Sequence, residues 1–182
     1  RDGLDVRAIA TSVESDRLAR RGGIPIVSFA DVSGLDVTVD GADEVSPALD
    51  LVKGLGGALV REKIVAKASG RLVIVVDEAK LVDRLGTRSP LPVEVIPFAT
   101  DLVRRSLADI GPRPEVRMKD GAPFVSDNGN HVLDWRCGPI EDPQELEHRL
   151  KSMSGVVDSG LFSGMADRVV VAGADGLRTL DR

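Results

Sequence analysis

The chain has 182 residues, 42% hydrophobic and 29% charged, with a formal net charge of −5, which suits one large or two small globular domains around a substantial core. The acidic balance and the lack of any basic cluster leave no electrostatic case for nucleic acid, and no apolar run approaches the roughly 18 residues of a membrane-spanning helix. Cys137 is the single cysteine, and His131 and His148 are the two histidines, so an intrachain disulfide is excluded, a structural zinc site is not expected, and a reducing cytoplasm is the expected compartment.

The first elements alternate strand and helix. Val6–Ala10 reads as a strand, Ser12 or Ser15 as the cap of a helix running to Arg21, and Gly22-Gly23 as its end. Ile24–Ser28 gives the next strand. The β-branched Val37, Thr38 and Val39 end another, which Asp40-Gly41 breaks. Asp40 and Asp43 then stand at a strand's carboxyl end, where open α/β sheets bind ligands, although aspartates also cap turns with no further role.

Asp50–Lys53 is a short apolar run ending in a charge, and it leads into Gly54-Leu55-Gly56-Gly57. Glycines at a strand-to-helix junction let backbone amides approach an anion, and a helix N-terminus favours negative charge there. From Gly57 the chain reads as a helix to about Ser69, with Gly70 as its C-cap. Val60, Ile64 and Ala68 share one face of that helix, flanked by Val65, which sets Glu62 nearly opposite and pointing away from the core. An ordinary solvated glutamate is the plain alternative. Two aspartates, Lys53, the loop amides and Glu62 together supply acid, base, cation and hydrogen-bond donors, the parts needed to move a proton next to a carbonyl.

Leu72–Val76 is a continuous apolar run typical of a strand buried on both faces, and it completes a βαβ alternation that predicts a parallel sheet. Lys80 follows in Asp77-Glu78-Ala79-Lys80, near the same sheet edge as Asp40 and Lys53, where it either neutralises an anionic ligand or is a surface lysine. From Leu91 the pattern changes to strand Val93–Ile96, helix Thr100–Ile110, strand Glu115–Met118, strand His131–Trp135, helix Asp142–Met153 and strand Val156–Phe162. That order is a split βαβ unit, with Asp127–Asn130 as the turn between the middle strands. Trp135, Cys137 and His131 are expected in packing or interface roles, and Arg168–Ala172 as a strand rejoining the first sheet. The expected class is therefore α/β, a Rossmann-like parallel sheet with helices on both faces plus a smaller ferredoxin-like α+β (βαββαβ) domain. Residues 1–90 with 163–182 would form the first domain and residues 91–162 the second.

The run Asp40–Glu44, the run Lys53–Ile64, and the segments Asp77–Lys80, Pro90–Pro97 and Ser126–Asn130 carry a family resemblance. In order and spacing they resemble ribose-5-phosphate isomerase, type A, from about Val6 to the C-terminus. The resemblance implies a cofactor-independent aldose–ketose isomerase of the pentose phosphate pathway, acting on ribose 5-phosphate and ribulose 5-phosphate through an enediolate, and forming a homodimer or homotetramer. It implies Glu62 as the general base, with Asp40, Asp43 and Lys53 completing the catalytic set. Asp40, Gly41, Ala42, Asp43, Lys53, Gly54, Leu55, Gly56 and Lys80 match substrate-binding segments. No metal is expected, because three carboxylates around a lysine already provide base and counter-charge.

The family also has an N-terminal strand followed by a Gly-Thr-Gly-Ser-Thr-type loop for the substrate phosphate, and nothing in these residues matches it. Arg1 is not an initiator methionine, so the expectation is roughly 35–45 further residues upstream, about one strand–loop–helix unit. The reading that competes with the isomerase is a sugar-phosphate-sensing effector domain on the same type of fold, since fold does not fix function. A sensor needs binding groups but no proton-transferring base.

Overall fold

The computed structural model describes residues 5–182. Helix α1 spans Val13–Arg21, and Ser12 caps it by accepting the Ser15 N–H, with acidic residues in its first turn and basic ones in its last. The flanking segments expected as strands are reduced to a single parallel bridge between Ala8 and Ile26. A strand needs a ladder to lean on, and among the described residues these two segments form backbone bridges only with each other. An apolar groove of about 440 Å³ runs between them and the next strand.

That strand, β1 (Thr38–Asp40), is followed by β2 (Glu44–Val45), β3 (Leu51–Val52), α2 (Leu59–Lys67) and β4 (Leu72–Asp77). Then come β5 (Leu91–Val95), α3 (Thr100–Ala108), β6 (Glu115–Val116), β7 (Met118–Lys119), β8 (Ala122–Pro123) and β9 (His131–Trp135). The chain closes with α4 (Pro143–Lys151), β10 (Val156–Ser159), β11 (Leu161–Phe162), β12 (Arg168–Gly173) and β13 (Gly176–Asp181).

In the first sheet β1, β4 and β12 run parallel, so Arg168–Ala172 does rejoin it. β13 adds an antiparallel edge through the turn Ala174-Asp175, an element not expected from its alternating polar sequence. Leu72, Ile74, Val76, Val169 and Val171 fill one side with Val45, Leu51, Ala66 and Phe162. Each fully buried valine, leucine, isoleucine or phenylalanine among them contributes about 1.5–3 kcal/mol.

The second sheet has the order β10-β5-β9-β6, all antiparallel, which is the ferredoxin-like arrangement. Val93, Val95, Val103, Leu107, Leu133, Trp135 and Leu150 form its core. Trp135 packs as expected, its Nε1–H donating to the Pro112 carbonyl at 2.6 Å, and His131 Nδ1 meets the Thr100 hydroxyl at 2.9 Å. Half-buried Cys137 has its thiol pushed up to about 11 by burial, which leaves it protonated.

Two expectations fail for local reasons, and a third holds with an addition. The run Val156–Phe162 is two strands, because Gly160 breaks it: its N–H bonds the Pro92 carbonyl and its carbonyl accepts the Lys53 N–H. A β-carbon on Gly160 would collide with the Lys53 carbonyl, so only glycine lets these backbones cross. β11 then pairs with β3 in a separate small sheet beside β2. The turn expected between the middle strands of the second sheet is preceded by the β7–β8 hairpin, whose Asp120 and Gly121 both take positive φ. Helix α2 ends at Lys67 with Ala68 as cap, and Gly70 instead donates its N–H to Leu35.

Candidate active site

β1 ends in Asp40, and the turn after it brings Asp43 back beside β3, where the Asp43 N–H bonds the Val52 carbonyl at 2.8 Å. β3 delivers Lys53, whose stem is buried to 3% exposure under Phe162. Its Nζ donates to the Gly41 carbonyl at 2.6 Å and pairs with Asp40 Oδ2 at 2.9 Å and Glu62 Oε2 at 3.3 Å. The Phe162 ring lies 5.5 Å from the same ammonium, a cation–π contact that holds it without using a hydrogen bond. Phe162 was not legible as a site residue, since a single aromatic in an apolar strand carries no signal.

The glycine loop follows. Gly54 and Gly57 both take positive φ, at 104° and 85°, which side chains rarely adopt. The Gly57 N–H closes on the Gly54 carbonyl at 2.9 Å, and the Leu55 N–H donates to Asp43 Oδ2 at 3.0 Å. Asp40, Gly41, Ala42, Asp43, Lys53, Gly54, Gly56 and Glu62 line one cleft of about 210 Å³. Leu55 is outside that lining: its N–H donates to Asp43 and its side chain is exposed. Lys80 sits in a 3₁₀ turn at the carboxyl end of β4, on the same edge as Asp40 but outside the cleft lining.

Glu62 corrects the helical-wheel reading. The buried residues of α2 are Leu59, Lys63, Val65 and Ala66, whereas Ile64 is 51% exposed. The wheel failed because it scored Lys63 as polar, and Lys63 is one of the most deeply buried side chains of the molecule. Glu62 therefore points into the cleft with its side chain 15% exposed. Burial raises its pKa, Lys53 opposes this, and Asp40 and Asp43 push it further up. Although Lys53 stands 3.3 Å away, Glu62 Oε2 makes no hydrogen bond. The contact is an ion pair that buries Oε2 against the ammonium, and Glu62 lines the cleft beside it.

Such an arrangement suits proton transfer. A carboxylate with a raised pKa, beside an ammonium and the unbonded Gly56 N–H, fits an isomerase site of the kind that lifts and returns a proton next to a carbonyl. The comparisons agree with that class. The family model for ribose 5-phosphate isomerase A (phosphoriboisomerase A) matches residues 7–176. The ribose-5-phosphate isomerase A of Thermomicrobium roseum is 50% identical, over all of this chain and 77% of the relative, and that of Gloeobacter violaceus 49% identical, over 98% and 78%. A solved D-ribose-5-phosphate isomerase in complex with phospho-erythronic acid superposes with a TM-score of 0.96 at 40% identity, covering 98% of this chain and 79% of that one. The Methanocaldococcus jannaschii ribose 5-phosphate isomerase A gives 0.93 at 40% identity, over 98% and 80%. The chain belongs to the ribose 5-phosphate isomerase A family.

Proposed function

We propose that the protein interconverts ribose 5-phosphate and ribulose 5-phosphate through an enediolate, in the non-oxidative pentose phosphate pathway. Glu62 removes the C2 proton of the open-chain aldose and returns it to C1. Lys53 and loop amides near Gly54–Gly57 stabilise the oxygen that gains charge as the proton leaves. Asp40 or Asp43 handles hydroxyl protons and assists ring opening, Gly41 and Ala42 shape the wall the sugar lies against, and Lys80 draws the anionic phosphate toward this edge. The observation that carries the reading is Glu62 in the cleft lining with its pKa raised, beside Lys53 and the two aspartates.

A sensor domain would bind sugar phosphate without an unbonded basic carboxylate, and no observation favours that reading. The division into an α/β domain (1–90 and 163–182) and a ferredoxin-like domain (91–162) is part of the same proposal, as are a cytoplasmic location and a homodimer or homotetramer. No helix among the described residues is long and apolar enough to cross a membrane.

The test is turnover of ribose 5-phosphate deuterated at C2. Enediolate chemistry predicts ketose formation with part of the deuterium lost to water. No turnover would overturn the proposal, and full retention at C1 under every condition would replace the enediolate by a hydride shift.

A further inference from the structure

The glycine loop is held from outside the cleft by one side chain of the second sheet. Arg117 lies between β6 and β7, its N–H bonded to the Val132 carbonyl and its carbonyl to the Phe124 N–H, both at 2.8 Å. Its Nη1 donates to the Gly54 carbonyl and to the Leu55 carbonyl, each at 2.9 Å. Nε and Nη2 pair with the two oxygens of Asp134 at 2.9 and 2.5 Å, a bidentate fork that fixes the guanidinium plane. The Phe124 ring packs 5.8 Å from the guanidinium carbon and also covers Gly57, where a β-carbon would strike it.

Two carbonyls held on one side have a consequence for the amides on the other. In a trans peptide the C=O and the following N–H point in opposite directions. With the Gly54 carbonyl on Arg117, the Leu55 N–H must face away, and it meets Asp43 Oδ2 at 3.0 Å. With the Leu55 carbonyl also on Arg117, the Gly56 N–H faces the same way. Gly56 lines the cleft, and its N–H is absent from every backbone and side-chain bond among the described residues. Two glycines flank Leu55, so nothing intrinsic to the chain prevents either peptide from turning over.

We infer that Arg117, braced by Asp134 and Phe124, is a positioning residue that locks the Gly54–Gly56 peptides so that the Gly56 N–H is aimed at the developing oxyanion. The inference rests on the isomerase reading. It makes the ferredoxin-like sheet a part of the catalytic apparatus, through a residue that never touches the sugar.

The experiment compares wild type, Arg117→Ala, Arg117→Lys and Glu62→Gln of the intact protein with ribose 5-phosphate. Arg117→Ala should lower kcat on the order of 10²-fold, the scale of losing one oxyanion donor, while KM changes less than about threefold, the pattern of an interaction made only in the transition state. Arg117→Lys keeps the charge but cannot bridge two carbonyls and a carboxylate, so its kcat should fall about tenfold. Guanidinium in the buffer should restore part of the kcat of Arg117→Ala and none of Glu62→Gln. Calorimetry with 4-phosphoerythronate, whose carboxylate puts negative charge where an enediolate would, should show weaker binding to Arg117→Ala, with inorganic phosphate binding unchanged.

Arg117→Ala within about twofold of the wild-type kcat, or a loss shared equally between kcat and KM with no guanidinium rescue, would overturn the inference and leave the isomerase intact. If Arg117→Ala does not fold, Arg117→Lys decides alone, about tenfold supporting and within about twofold overturning. A wild type that does not turn over ribose 5-phosphate, or a Glu62→Gln variant as active as wild type, would instead strike the isomerase reading itself.

Discussion

Neighbouring residues of α2 lead into two opposite kinds of charged site. Lys63 enters a closed cluster: Nζ meets Glu147 Oε1 at 2.6 Å and Asp158 Oδ1 at 2.7 Å. Asp158 Oδ2 takes Lys151, and Glu147 Oε2 takes the Ser163 N–H. Two ammonium groups face two carboxylates, and each carboxylate oxygen has a donor. Glu62 enters the open cleft, which three carboxylates, Asp40, Asp43 and Glu62, line beside one ammonium, Lys53, paired with Asp40 and Glu62. One Glu62 oxygen there has no hydrogen bond. The ring of Phe162 separates the two ammonium groups, 5.0 Å from Lys63 and 5.5 Å from Lys53. The same residue types thus give a brace when charge is balanced and a carboxylate of raised pKa, the proposed base, when it is not.

The largest expected effect breaks the open site. Glu62→Gln keeps the shape and removes the base, so kcat should fall about 10²–10⁴-fold. The variant should melt no lower than wild type, because it also removes a carboxylate held in unfavourable surroundings. A kcat within a few-fold of wild type would remove Glu62 from its role, and a large drop in Tm would put it in the wrong half of the comparison.

Breaking the closed cluster should do the reverse. Lys63→Ala strands Glu147 and Asp158 half-buried without their shared cation, a loss of about 3–5 kcal/mol and, for a chain of this size, on the order of 10 °C in Tm. Lys63→Met, which keeps the stem against Phe162, should lose less. Thermal melts check both, and a Lys63→Ala variant with wild-type stability would show that the cluster braces nothing.

The two sites were not equally legible in the sequence. The open one was, because its parts lie within 25 residues, Val39 to Lys63, and each residue type advertises its chemistry: aspartates on a turn, a lysine, glycines, a glutamate. The parallel sheet and the ferredoxin-like order were legible too, from continuous apolar runs and their alternation with helices. The closed cluster was not. Lys63 finds Glu147 and Asp158 across 84 and 95 residues, and counting lysine as polar turned α2 the wrong way round. Arg117 was hidden for the same reason, since its target carbonyls lie 63 and 62 residues back. Contacts that fold creates between distant segments leave no spacing to read.

A pH series separates the sites further. Burial and the neighbouring aspartates raise Glu62 above the ordinary 4.5, so the acid limb of kcat/KM should lie above that value. The folded state then binds this proton more readily than the unfolded chain does. As pH falls through the raised pKa, Glu62 gains its proton, activity is lost, and its contribution to stability rises. Asp158 runs the other way: burial would raise it, but Lys63 and Lys151 outweigh burial and hold it below 3.8. Its contribution is full above the unfolded value and disappears only as pH falls through that depressed pKa. Activity should therefore fail at a pH where the fold is still intact. Coincident acid midpoints for activity and for far-UV circular dichroism would erase the distinction.

The smallest expected effect is none at all, on removing divalent metal. In both sites the place between carboxylates is already taken by an ammonium: Lys53 between Asp40 and Glu62, Lys63 between Glu147 and Asp158. A divalent ion entering the cleft would have to displace a lysine whose stem is buried and whose Nζ also holds the Gly41 carbonyl. It would then compete with Lys53 for the Glu62 carboxylate, the proposed base. Among the described residues no cluster of three His, Cys, Asp or Glu side chains is arranged to hold a metal. Activity should survive prolonged dialysis against EDTA unchanged, and added magnesium or zinc should not raise it. Inactivation by the chelator with recovery on adding a divalent ion would mean that the charge balancing the oxyanion is not Lys53, and the contrast between an under-compensated cleft and a balanced cluster would lose its chemical basis.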